Sequence, residues 1–129
     1  MMNFQFKKDE HIISKKLMET LFKGDSSHSM AAFPLRVVYM DLPSEANPDE
    51  PAVQVLFSVS KRHFKHAVDR NRVKRQLREA YRLNRHLLVD KLPADRRLAI
   101  AFVWISDSHA PSEVIHSRVR QFLKRIAQS

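Results

Sequence analysis

Cysteine is absent from this 129-residue sequence, and glycine occurs once, at Gly24. The first absence excludes disulfides, thiol nucleophiles and cysteine-ligated zinc or iron–sulfur sites, and it fits a reducing compartment. The second removes every phosphate-binding or nucleic-acid motif whose backbone only glycine supplies cheaply. These are the P-loop, the dinucleotide-binding GxGxxG turn, the GxxG clamp of KH domains and the RRM signature. No apolar run approaches the ~20 residues of a membrane helix; the longest, Leu98 to Ile105, suits a buried strand. The opening MMNFQFKKDEH is charged from Lys7 onward and lacks the apolar centre of a secretory signal, so the cytoplasm is the expected location. Acids are outnumbered, with 14 Asp and Glu against 23 Lys and Arg, a net charge of +9. Such an excess bears on partners rather than on fold, and nucleic acid heads those partners.

What is present reads as one domain of mixed class, with residues 1–10 expected to form a flexible tail. Ser14 to Lys23 (SKKLMETLFK) carries the apolar pairs Leu17/Leu21 and Met18/Phe22 at helical spacing, and Gly24 stands where a helix stops. Asp25 to His28 reads as a polar turn. Phe33 to Leu42 and Ala52 to Val59 read as strands, the second nearly continuous in apolar character and therefore expected to be central. Between them Pro43 to Pro51 (PSEANPDEP) is a loop, the one clearly acidic segment. A long helix is predicted from about Val68 to Leu88, and a third strand at Leu98 to Ile105, covered on both faces. A last helix runs from a Ser112 cap through Ala127, with Val114, Val119, Phe122, Leu123 and Ile126 on its inner side. With two or three strands between the first helix and the long one, the class is α+β, a single-sheet α–β sandwich, and the expected order is α-β-β-β-α-β-α.

The segment RNRVKRQLREAYRLNRHLL, residues 70–88, divides cleanly on a helical wheel. Val73, Leu77, Ala80, Tyr81, Asn84, Leu87 and Leu88 fall within an arc of about 120°, the width of a core-facing stripe. Asn71, Lys74, Arg75, Arg78, Arg82 and Arg85 fall opposite. From Lys61 to Arg85 there are ten Lys or Arg and two acids, Asp69 and Glu79. A solvated face ordinarily mixes signs. Like charges at i, i+4 oppose folding by a few tenths of a kcal/mol per pair, so their retention points to phosphates that neutralise them in a complex. Arginine, whose planar fork suits bidentate phosphate contact, predominates on the helix. Asn71, in the first turn, is open to two roles: a capping residue, or a polar contact to RNA or to a water-coordinated metal.

Motifs for protein-based catalysis are missing: no SxG elbow, no HExxH and no paired carboxylates. Seven histidines are present; His63 and His66 at i, i+3 read as auxiliary or surface residues of a basic loop rather than as a metal pair. No catalytic residue and no protein metal ligand is therefore assigned.

The stretch FSVSKRHFKHAVDRNRVKRQLREAYR, Phe57 to Arg82, resembles the signature of the bacterial ribonuclease P protein family. There a strand ends in SVSK, a basic loop leads through an AV pair, and RNR opens a long helix with a following KR and R. All parts stand here ungapped: Ser58, Val59, Ser60 and Lys61, then Ala67 and Val68, then Arg70, Asn71, Arg72, Val73, Lys74, Arg75 and Arg78. SKKLMETLFKG and PLRVVYMDL are similar to the family's first helix and cleft strand. Many relatives carry a phenylalanine pair on that helix, where this chain offers Leu17, Leu21 and Phe22.

The resemblance implies a ribosomal protein S5 domain 2-like sandwich with a left-handed βαβ crossover, against the usual right-handed preference. It implies a protein subunit that assists a catalytic RNA in removing the 5′ leader of precursor tRNA, with Mg²⁺ held mainly by the RNA. The partners would be that RNA and precursor tRNA, in a complex of one protein monomer and one RNA. Contacts to the RNA subunit would fall to Lys61, Arg62, Lys65, Arg70, Asn71, Arg72, Lys74, Arg75, Arg78 and Arg82. A leader cleft would use Leu17, Leu21, Phe22, Val37, Tyr39 and Ser58, with plain core packing the competing role for Leu17, Leu21 and Val37. The alternative is a generic basic RNA-binding protein, such as a ribosomal protein or RNA chaperone, which shares the charge argument but leaves the ungapped register unexplained. A helix-turn-helix DNA binder would need a helix before the basic one, where a strand and loop are read. A membrane-surface helix would need an exposed aromatic anchor on its apolar face, which here reads as core.

Overall fold

The computed structural model describes residues 19, 21, 22, 27–42 and 52–129. The predicted tail at 1–10, the acidic loop at 43–51, and Leu17 and Met18 lie outside them. Residues 19, 21 and 22 are helical, as read for the first helix. Four strands follow in one sheet: β1 (Ser27–Ala32), β2 (Leu35–Leu42), β3 (Val53–Ser58) and β4 (Arg97–Trp104). The helices are α1 (Ala67–Asn84), α2 (His86–Val89) and α3 (Ser112–Gln128).

Strand order is β1-β2-β4-β3. β1 and β2 form an antiparallel hairpin across the Phe33–Pro34 turn, and β2 runs antiparallel to β4. β3 and β4 are parallel neighbours joined through α1 and α2, a βαβ unit. The class is mixed α+β with a single sheet, as the sequence predicts, but several details differ. Ser27 and His28, read as part of a turn, open β1. Its SHSMAA sequence has little strand propensity, and it is held by its register with β2 and by Met30 and Ala32 packing on the core. β3 lies at an edge rather than in the centre. Its burial alternates, with Val53, Val55 and Phe57 buried and Gln54, Leu56 and Ser58 half-buried; Leu56 on the second face is what makes the segment look continuously apolar. β4 is buried on both faces, as expected.

The predicted long helix breaks at Arg85. The Asn84 side chain donates back to the Ala80 carbonyl at 2.8 Å, a local bond that competes with the helix ladder. The chain then restarts as α2, which buries Leu88. Ser112 is the first residue of α3 rather than its cap. Pro111 holds the cap position without a side-chain bond, and the Ser112 hydroxyl accepts from Gln76 Nε2 at 3.1 Å. On α3 the buried residue of the first turn is Ile115, with Val114 only half-buried; Val119, Phe122, Leu123 and Ile126 are buried as predicted.

α1 and α3 cover one face of the sheet. Val73, Leu77, Ala80 and Tyr81 of α1 meet Val55, Phe57, Ile100, Phe102 and Trp104, with α3 adding Ile115, Val119 and Phe122. Phe57 and Phe102 stack at 5.8 Å, and Tyr81 meets both rings edge-on or tilted. Each fully buried large side chain contributes about 1.5–3 kcal/mol relative to exposure. This core, rather than helix propensity, fixes how the basic helix is presented.

Candidate nucleic-acid interface

The segment after β3 is shaped by Ser60. Its carbonyl accepts from the backbone N–H groups of His63 (3.1 Å) and Phe64 (3.2 Å), and its hydroxyl accepts from the Arg62 N–H (3.0 Å). The turn tucks Phe64 into the core beside Trp104 and leaves Lys61, Arg62 and Lys65 exposed. Arg70 then closes the segment onto α1: its Nη1 donates to the Phe64 carbonyl at 2.9 Å and the Lys65 carbonyl at 3.0 Å. A residue predicted to contact RNA thus has a local structural role.

The outer face of α1 presents Asn71, Arg72, Arg75 and Arg78 exposed, with Lys74 and Arg82 half-buried. Lys61, Arg62, Lys65, Arg72, Lys74, Arg75 and Arg78 form no ion pair among the described residues. Arg82 differs: its guanidinium holds Glu79, with Nε 3.0 Å from Oε2 and Nη2 on Oε1. That hydrogen bond is the main reason the Glu79 carboxyl titrates below its ordinary range, helped by the charges of Arg82 and His116. Asn71 makes no capping bond: His66 is the N-cap residue, and no side chain caps the helix. The helix thus places Asn71 among the exposed cations.

The predicted cleft set divides between two faces. Val37 and Tyr39 point to the α1/α3 side and are core residues, fully buried and 6% exposed respectively. Leu21 is fully buried on the opposite face, against Val38, Met40, Ala99 and Ala101. Strand alternation puts Ser58 on Leu21's side, and Phe22 is exposed. The structure therefore brings Leu21 and Ser58 to one face and carries Val37 and Tyr39 away from them. The β2 residues on Leu21's face are Val38 and Met40, with Leu56 and Val103 half-buried alongside. The registers Val38↔Ala101↔Leu56 and Met40↔Ala99↔Gln54 set two buried alanines between larger side chains on this face. β2 is apolar on both faces (Val37, Val38, Tyr39 and Met40 are all buried), so its sequence alone carried no parity signal.

With this geometry in hand, the comparisons are decisive. The Ribonuclease P family model matches residues 6–127. The chain belongs to the ribonuclease P protein family. A ribonuclease P protein component from Porphyromonas gingivalis is 40% identical over 125 residues, spanning 96% of this chain and 88% of that protein. One from Chlorobium phaeobacteroides is 30% identical over 131 residues, spanning 95% and 88%. Among solved structures, the ribonuclease P protein from Thermotoga maritima superposes with a TM-score of 0.68 at 16% identity, covering 89% of this chain and 96% of that one. That likeness shows the shared fold. Membership makes the chain the protein component of an endoribonuclease whose partner is a ribonuclease P RNA.

Proposed function

We propose that this protein binds the catalytic RNA of ribonuclease P through the 61–65 segment and the outer face of α1, and takes the 5′ leader of precursor tRNA on the opposite face of the sheet. The observation that carries the reading is the row of seven cations without ionic partners among the described residues. A folded protein gains nothing from holding such a row, whereas phosphates would release counterions on meeting it. On that face the half-buried Leu56 and Val103 offer apolar surface to the faces of unpaired bases, and Ser58 offers a hydroxyl. Arg70 acts by holding the segment in place, and Asn71 stands among the cations as a polar contact.

In this reading the RNA performs the hydrolysis, and the Mg²⁺ it requires belongs to the RNA. The protein's part in this reading is to bind and to position. One protein monomer per RNA and a left-handed sense of the β3–α1–β4 crossover belong to the same proposal.

The test is cleavage of precursor tRNA by a bacterial ribonuclease P RNA at low Mg²⁺, with and without the protein. Restored processing at the correct 5′ position, with no cleavage by protein alone, is the expected result. RNA that gains nothing while the protein still binds structured RNA would point to a generic RNA-binding role.

A further inference from the structure

Of the two carboxylates in the cation-rich stretch, Glu79 is held by Arg82. Asp69 turns away from the cations. Its Oδ1 lies 3.0 Å from Nε2 of His109, in the loop between β4 and α3. A second pair joins the same two segments: His63 Nδ1 is 2.8 Å from Asp107 Oδ1. The Phe64 ring stacks on the His109 imidazole, with centroids 4.5 Å apart and planes 25° apart. Two helical turns beyond Asp69, Gln76 Nε2 donates to the Ala110 carbonyl at 3.3 Å and to the Ser112 hydroxyl at 3.1 Å. The 105–111 loop is thus gripped at His109, Asp107 and Ala110 by side chains of the 61–66 segment and α1.

That segment has no regular structure, and it carries Lys61, Arg62 and Lys65, whose charges repel one another. Left to itself such a stretch would sample many conformations, and ordering it on binding would weaken the complex. We propose that the 105–111 loop is a strut that pre-shapes this segment for RNA. Asp69, Asp107, His63 and His109 are positioning residues that need touch no nucleic acid. The inference rests on the ribonuclease P reading above.

Charge and positioning predict opposite signs, which makes the strut testable. Asp69→Ala and Asp107→Ala each remove one negative charge from the neighbourhood of a polyanion's site, so electrostatics alone predicts tighter binding. The strut predicts weaker binding, by about fivefold for each lost charged hydrogen bond. The salt slope stays unchanged, because no phosphate contact is removed. Asp69→Asn keeps an oxygen that accepts from His109 Nε2–H and is expected to bind at least as tightly as wild type.

The measurement is the affinity of the full chain and these three variants for a bacterial ribonuclease P RNA across a salt series, with thermal melts run in parallel. Asp107 is 81% exposed, so its alanine variant decides the matter if Asp69→Ala fails to fold. Alanine variants that bind as well as or better than wild type overturn the strut, and so does Asp69→Asn binding as weakly as Asp69→Ala. Failure of the wild-type protein to bind the RNA would instead sink the ribonuclease P reading itself.

Discussion

Arg70 and Arg75 lie five residues apart in α1, carry the same charge and belong to the same motif, yet they should fail differently when replaced. Arg70 is half-buried and bridges two backbone carbonyls, those of Phe64 and Lys65. A hydrogen bond to a charged group contributes about 1.5–3 kcal/mol, and stranding its acceptors adds to the loss. Since these carbonyls are partly open to water, Arg70→Ala should cost about 2–3 kcal/mol, the lower part of what two such bonds could give. For a chain of this length that lowers the melting temperature by roughly 6–15 °C. Arg75 is exposed and has no ionic partner among the described residues, so its removal should leave stability within about 0.5 kcal/mol of wild type. Its loss should appear in the salt dependence of RNA binding, where the slope of log affinity against log salt falls by about 0.7–0.9 for one phosphate contact. Thermal melts and titrations against the RNA across a salt series read the two effects separately. The reasoning is refuted if Arg75→Ala keeps the wild-type slope, or if Arg70→Ala melts like wild type while losing a full phosphate's slope.

Phe102→Ala empties the centre of the aromatic cluster, where the side chain is fully buried between Phe57 and Tyr81, and should cost about 3–5 kcal/mol in urea unfolding. Leu56→Glu places a negative charge on the proposed leader face without touching the α1 face. It should abolish the preference for leader-bearing over leaderless tRNA and leave RNA-subunit binding intact, while Tyr39→Phe, on the opposite face, should change neither. Glu79→Gln removes Arg82's carboxylate partner. The depressed Glu79 pKa means that the pair stabilises the fold above the ordinary carboxylate range and that this contribution disappears as pH falls through the folded-state value. Both groups are partly exposed, so the effect is small. Thermal melts should show a modest wild-type advantage at neutral pH that vanishes in acid, and an advantage that persists in acid would contradict the assignment.

Most of the architecture was legible because it rests on long, strongly periodic segments. The 3.6-residue rhythm of Val73, Leu77, Ala80, Tyr81 and Asn84 and the unbroken apolar run of β4 each allow one placement. The SVSK-to-RNR register made the cation set legible for the same reason. Local signals failed where tertiary contacts decide. SHSMAA forms a strand because β2 offers it a partner. Ser112 looked like a cap because helix starts favour serine, but its hydroxyl was taken by Gln76 from another helix. The family resemblance implies a leader cleft that includes Tyr39. Its ring instead fills the helix-side core beside His28, and a one-residue parity question in a doubly apolar strand cannot be answered without its neighbours. The pairs linking Asp69 to His109 and Asp107 to His63 span about 40 residues each, and no short-range pattern announces them.

α1 can carry its repulsive outer face only because its inner face is so well packed. Arg72–Arg75, Lys74–Arg78, Arg75–Arg78 and Arg78–Arg82 are like-charged neighbours at i, i+3 or i, i+4, opposing folding by about 0.2–0.5 kcal/mol each, roughly 1–2 kcal/mol together. Val73, Leu77 and Tyr81 are fully buried and together contribute about 5–9 kcal/mol at the ordinary value for such side chains. The margin explains why Arg72, Lys74, Arg75 and Arg78 are carried without ionic partners among the described residues. It also locates where the design is fragile. A cavity beneath the helix, such as Leu77→Ala at about 2–5 kcal/mol, removes the excess that holds the cations in a row. RNA affinity should therefore fall with loss of the core even though no phosphate contact is touched, and added RNA should raise the melting temperature of that variant, because binding to the folded state alone stabilises it.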